Sequence, residues 1–140
     1  NKWALLARLR VARAGFGLTD RDLTVLAALL SFLPAGELVD GAPLIVFPSN
    51  ASLSDRAHGM AESTLRRHLA ALVAAGLLWR HDSPNGKRFA RRGRGGELAV
   101  AFGLDLTPLA RAADHIASRA AATEEAARAL HLRREALVLR

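Results

Sequence analysis

Apolar side chains recur at helical spacing through the first half of the chain. From Lys2 to Arg13, Trp3, Leu5, Leu6 and Leu9 form an apolar side with arginines opposite or flanking, and Gly15 and Gly17 mark the end of that helix. Thr19 followed by Asp22 is a hydroxyl and carboxylate pair of the kind that satisfies free N–H groups at a helix start. Leu23, Leu26, Ala27 and Leu30 then follow at helical spacing until Pro34 stops the helix. Residues 34–43 are a Pro- and Gly-rich loop, and Leu44-Ile45-Val46-Phe47, bounded by two prolines, predicts a short strand. Ser49 or Asn50 caps a second short helix running through Ala57. His58-Gly59-Met60 predicts a tight turn in which Gly59 takes positive φ. A third helix spans 61–75 and ends at Gly76. At 100° per residue, Ala61, Leu65, Leu69, Leu72 and Val73 share one side. Ser63, Arg67, Ala70 and Ala71 lie opposite with Thr64 beside them, and Arg66 and His68 flank the stripe.

After Gly76 the period changes to two. Leu77 to Asp82 reads as a strand with Leu77 and Trp79 on one face, Ser83-Pro84-Asn85-Gly86 as a hairpin turn, and Lys87 to Arg92 as the returning strand with Phe89 inward. Glu97 to Phe102 adds a third strand, since Leu98, Val100 and Phe102 alternate. Trp3 and Trp79 are expected to anchor the core. From Thr107-Pro108 onward the chain is alanine-rich and helical, with a break expected near Thr123. Its 4-3 spacing (Leu109, Ala113, Ile116, Ala120 and onward) carries too many small or polar residues for a strong coiled coil, so a packing or dimerising role is expected. The predicted class is mainly α with a small β-hairpin: a winged helix-turn-helix over residues 1–106, including the N-terminal helix, and a helical extension over 107–140.

Composition narrows the chemistry. Of 140 residues, 51% are hydrophobic and 24% charged, which makes the chain globular rather than disordered. The absence of cysteine excludes a disulfide scaffold, a thiol nucleophile and a Cys-ligated metal. The net charge of +7 is concentrated. Residues 1–17 hold Lys2, Arg8, Arg10 and Arg13 without an acid, and residues 80–94 hold Arg80, Lys87, Arg88, Arg91, Arg92 and Arg94 against Asp82 alone, while the rest is balanced or slightly acidic. Such focusing points to a polyanion. The five histidines have no metal spacing, Gly86-Lys87 is not part of a phosphate-binding loop, and no Ser-His-Asp set has supporting context. No enzyme, cofactor or metal is therefore expected. No apolar run reaches the roughly 18 residues of a membrane span, so a soluble protein of the cytoplasm without a membrane partner is expected. A first residue that is not Met suggests a segment of a longer protein.

Helix, short strand, short helix, tight turn, helix and basic hairpin is the order of a module that reads double-stranded DNA. On the third helix, Ser63, Thr64 and Arg67 are candidates for base edges or phosphates, flanked by Arg66 and His68. The hairpin offers Asn85, Lys87, Arg88 and Arg91 to the backbone. Arg92-Gly93-Arg94-Gly95 fits either a linker or a narrow A·T-rich minor groove entered by Arg92 and Arg94, although it lacks the proline of an AT-hook. An ordinary α/β core with a solvated basic hairpin has the same residues, and a protein-interaction winged helix facing an acidic partner is a further alternative.

Longer strings carry a resemblance. Leu44-Ile45-Val46-Phe47-Pro48-Ser49-Asn50, Arg56-Ala57-His58-Gly59-Met60, Thr64 through Leu72, Asp82 through Arg88, and Ala101-Phe102-Gly103 with Asp105-Leu106 resemble the replication initiator protein C family of repABC-type plasmids. The resemblance covers roughly residues 18–110 closely and the tail loosely. It implies the N-terminal DNA-binding part of an initiator of large low-copy plasmids in alphaproteobacteria, without the family's C-terminal domain. It also implies a replication origin as the target, lying within the protein's own coding sequence. A winged-helix transcription regulator on an operator would use the same chemistry.

Overall fold

The computed structural model describes residues 1–34, 36–81, 90–92, 98–101 and 103–138, with 90–92, 98–101, 137 and 138 described by their backbone alone. Helix α1 (Lys2–Ala12) runs into a 3-10 turn (Arg13–Phe16) that ends on Gly17 at φ 70°. Helix α2 (Asp20–Leu30) opens with a complete capping box. The Thr19 hydroxyl accepts the Asp22 N–H at 3.2 Å, and the Asp22 carboxylate accepts the Thr19 N–H at 2.8 Å. Strand β1 is Ile45–Val46, helix α3 is Asn50–Arg56 with Ser49 as its cap, and helix α4 is Glu62–Ala74. These follow the predicted order closely.

Helix α2 is the centre of the core, with Leu23, Val25, Leu26, Leu29 and Leu30 fully buried. The last carbonyls of a helix have no partner within it and need donors from elsewhere. Two cations from other helices supply them. Lys2 on α1 is buried, and its Nζ donates to the carbonyls of Leu30 at 2.9 Å and Leu33 at 2.7 Å. Arg56 on α3 donates to the Ser31 carbonyl at 2.9 Å, with its guanidinium 3.8 Å from the Phe32 ring centroid. Positive charge at a helix C-terminus is also favoured by the helix dipole. Lys2 therefore belongs to the interior rather than to the surface charge of the N-terminal segment.

The small sheet is antiparallel, with strand β5 (Gly103–Asp105) between β1 and β2 (Trp79–His81). Val46, Arg80 and Leu104 form one row of the register. Strands β3 (Ala90–Arg92) and β4 (Leu98–Ala101) pair separately, with a register shift between Arg91 and Arg92. This corrects the expected hairpin: among the described residues β2 pairs with β5, and residues 90–92 of the expected returning strand pair with β4 instead. The reason is burial. Leu104 is fully buried and its strand needs a partner on both edges, which β1 and β2 provide. The turn at 83–86 and Phe89 lie outside the described residues. Gly103 has its place because Phe47 and the β1 backbone press on it. A Cβ there would run into the Val46 carbonyl and stand 2.8 Å from Phe47 Cδ1.

Helix α5 (Thr107–Arg111) turns the chain into α6 (Ala113–Val138), which packs on α1 through its first two turns. Leu109 and Ile116 join the same buried cluster as α2. The expected break near Thr123 does not occur. The Thr123 hydroxyl donates to the Arg119 carbonyl one turn back at 2.9 Å and the helix continues, so the interruption falls at Ala112 instead. Beyond Ala120 every residue to Ala136 is exposed. Trp3 and Trp79, expected in the core, are 45% and 44% exposed. Leucines fill the interior in their place.

Gly103→Ala should lower stability by roughly 1–3 kcal/mol, because the β1 backbone cannot yield to a methyl group. A thermal melt followed by circular dichroism should show a Tm lower by several degrees. An unchanged Tm would mean that β1 and β5 separate at no cost.

Candidate nucleic-acid interface

Helices α3 and α4 are joined by a turn too tight for ordinary backbone. His58 lies at φ 60° and Gly59 at φ 75°, and the Ser54 hydroxyl donates to the Met60 carbonyl at 2.7 Å across the turn. A non-glycine residue at positive φ carries strain, which this bond helps to offset. Leu53, Ala57, Leu65, Leu69 and Leu72 are buried between the two helices and the core, so α4 keeps one side outward. Val73, expected on the buried stripe, is 38% exposed. It sits at the edge of the stripe.

The outward side carries Ser63, Arg67, Ala70 and Ala74, all exposed. Small residues before and after one arginine leave a shallow strip with a single projecting donor group. Arg67 makes no ion pair among the described residues. Arg66 is engaged: its Nη2 lies 2.7 Å from Glu62 Oε1, and Asn50 Nδ2 on α3 donates to the same oxygen at 2.8 Å. Glu62 was not singled out in the sequence, although its spacing of four from Arg66 is the signal for such a pair. Thr64 is half-buried on the flank that meets α2.

His68 lies on that flank too. Its Nδ1 is 2.5 Å from Asp22 Oδ1, and its side chain is 14% exposed. The ring therefore faces α2 and not the outward strip. Asp22 accepts on both oxygens and is almost fully buried. Burial pushes its carboxyl upward, but the Thr19 N–H, the His68 ring and the Thr19 hydroxyl outweigh that and hold it below the ordinary carboxylate range. The same balance holds Asp105 low. Burial raises it, while the Thr107 hydroxyl at 2.6 Å, the Thr107 N–H at 2.9 Å and the His81 ring at 3.1 Å lower it further.

The basic hairpin enters the description only in part. Arg91 and Arg92 lie on β3, described by backbone, while Asn85, Lys87, Arg88 and Arg94 lie outside the described residues. Arg80 on β2 is exposed. Among the described residues, no group of three or more His, Asp or Glu could hold a metal ion, and no helix is long and apolar enough to cross a membrane.

The model of the replication protein C N-terminal domain matches residues 1–140. Two relatives, each named "Putative replication protein C", support the match. The one from Sinorhizobium fredii is 54% identical over 121 residues, covering 86% of this chain and 30% of the relative. The one from Rhizobium rhizogenes is 45% identical over 139 residues, covering 99% of this chain and 34% of the relative. No solved structure matches the chain. The chain belongs to the replication protein C family, as its N-terminal domain, and spans about a third of the length of the curated relatives it matches.

Both low carboxyls contribute to the acid behaviour of the fold. Asp22 and Asp105 bind protons less readily when folded than when unfolded, so the stability they contribute is complete above the ordinary value of about 3.9. It declines as pH falls from there through the lowered folded values. Melting curves between about pH 2 and 6 should steepen in that window, and Asp22→Asn should flatten part of the slope. A variant with the wild-type acid slope would contradict the assignment.

Proposed function

We propose that this chain is a winged helix-turn-helix domain that binds double-stranded DNA sequence-specifically at a plasmid replication origin, as the N-terminal domain of a replication initiator, and that it has no enzymatic role. The observation that carries the reading is the outward strip of α4: small side chains around one arginine that has no ion pair among the described residues, on a helix held by α3 across a strained turn. A major groove admits a helix whose leading face is smooth, and a bidentate arginine is the commonest reader of guanine. The strand order β1-β5-β2 supports it, since β2 and β5 are antiparallel neighbours and the basic segment of the sequence falls between them. The wing's cations, Lys87, Arg88, Arg91, Arg92 and Arg94, with Asn85, would contact phosphate or an adjacent minor groove. The family match supports a role in plasmid replication and, with it, action in the cytoplasm on plasmid DNA. Homodimerisation through the terminal helices belongs to the same reading, supported by the exposed outer side of α1 (Trp3, Val11) and the exposed distal half of α6.

A gel shift tiled across the protein's own coding sequence, against scrambled duplex, tests the proposal directly. One fragment should bind far more tightly than the scrambled control, and uniform weak binding would overturn the reading. Arg67→Ala should then cost about 1–3 kcal/mol on the tight fragment while the Tm stays at the wild-type value. Unchanged affinity would remove Arg67 from the interface.

Lys87 and Arg88 should act on phosphate. Replacing both with Gln should weaken all duplexes alike and reduce the slope of log K against log salt by roughly 2. Loss of preference at one base position with an unchanged slope would make the wing a base reader.

A further inference from the structure

We infer that His68 is a positioning residue for sequence readout: by donating from Nδ1 to Asp22, it fixes the rotation of α4 about its own axis and so aims Arg67. The inference rests on the DNA-binding reading above and adds to it the residue that makes binding specific.

Helix α4 is held in the core by Leu65, Leu69 and Leu72, each at most 1% exposed. Apolar contact of this kind is strong but not directional, and leucines accommodate small rotations by changing rotamer. The helix is about 5–6 Å in radius to its side-chain envelope, so a rotation of about 20° moves an outward group by roughly 2 Å. That displacement is enough to lose a hydrogen bond to a base edge while leaving a looser phosphate contact in place.

Polar contacts to α3 and to α2 resist such a rotation. Glu62 ties the first turn of α4 to Asn50 on α3 at 2.8 Å. Its carboxylate and its partners are more than half exposed or at the surface, where such contacts are weak. The His68–Asp22 contact is different in kind. Asp22 is 4% exposed, and its other oxygen accepts the Thr19 N–H at 2.8 Å, so its position is set by the start of α2. His68 meets it at 2.5 Å, one residue and therefore about 100° around the helix from Arg67. A short, charge-assisted bond to a fixed carboxylate is directional and strong. The same aspartate thus closes the cap of α2 and sets the azimuth of α4. His68 also explains why a half-buried polar residue stands among Thr64, Ala71 and Ala75 on the flank facing α2.

The test compares His68→Leu, which removes the donor, with His68→Asn, whose Nδ2 lies near the place of the lost Nδ1 and keeps it. Affinity is measured for the tightest duplex from the tiled coding sequence and for scrambled duplex. A partly unfolded population lowers both affinities by the same factor, so their ratio reports aim and not stability. His68→Leu should lower the ratio roughly tenfold, the equivalent of one misaligned base contact, and His68→Asn should restore most of it. A wild-type ratio in His68→Leu, or equal loss in both variants, would overturn the inference. A wild-type protein with no preferred duplex would instead overturn the DNA-binding reading. The aim can then still be judged from 15N–1H spectra of the free protein. The amides of Ser63 to Ala70 should shift together in His68→Leu and remain near wild type in His68→Asn, and unmoved amides in His68→Leu would refute the positioning role.

Discussion

Helix α2 lies at the middle of a small core, and the rest of this fold is arranged around the polar groups at its two ends. Polar groups at and just beyond the ends of α2 are engaged from three directions. Lys2 reaches its last carbonyls from α1, Arg56 reaches them from α3, and Asp22 in its first turn holds the ring of His68 on α4. Each neighbouring helix therefore makes directional bonds to α2 or the turn that follows it, in addition to its apolar packing. Leucines bring the helices together, while these polar contacts decide how each is turned. The sheet is subordinate to this arrangement. It closes one side of the core with Val46 and Leu104, and Asp105 passes the chain on to α5 through Thr107.

Much of the helical framework was legible because helix starts and stops are local. The pair Thr19 and Asp22, Ser49, and Gly17 and Gly76 at positive φ all act within a few residues of themselves, and the structure uses each as the spacing indicates. The strand pairing was not legible. Asn85-Gly86 is a strong local hairpin signal, but the partner of β2 is chosen by the burial of Leu104 more than twenty residues further on. Thr123 misled for the opposite reason: its hydroxyl can bond back to the preceding turn as easily as it can break a helix.

Charge was the least reliable guide to the site. Lys2, counted with the N-terminal bases, is buried against carbonyls, and Arg13 lies 3.1 Å from Asp20. Arg66 and His68, next to Arg67 in sequence, are each committed to a carboxylate of this chain. Periodicity separated these residues into outward and flanking positions correctly. What periodicity could not supply was the identity of their partners, since Asp22 is forty-six residues away from His68.

The length of α6 gives the molecule two thermal regimes. Its first two turns lie under α1, with Ile116 in the buried cluster and Ala120 buried as well, whereas the sixteen residues from 121 to 136 are all exposed. Helices of that length are marginal in water when nothing packs on them. Amide protons in the first part exchange mainly when the core opens, while those beyond Ala120 exchange through local opening that leaves the core intact. A single unbroken helix thus contains a boundary between global and local unfolding, set by where α1 stops covering it.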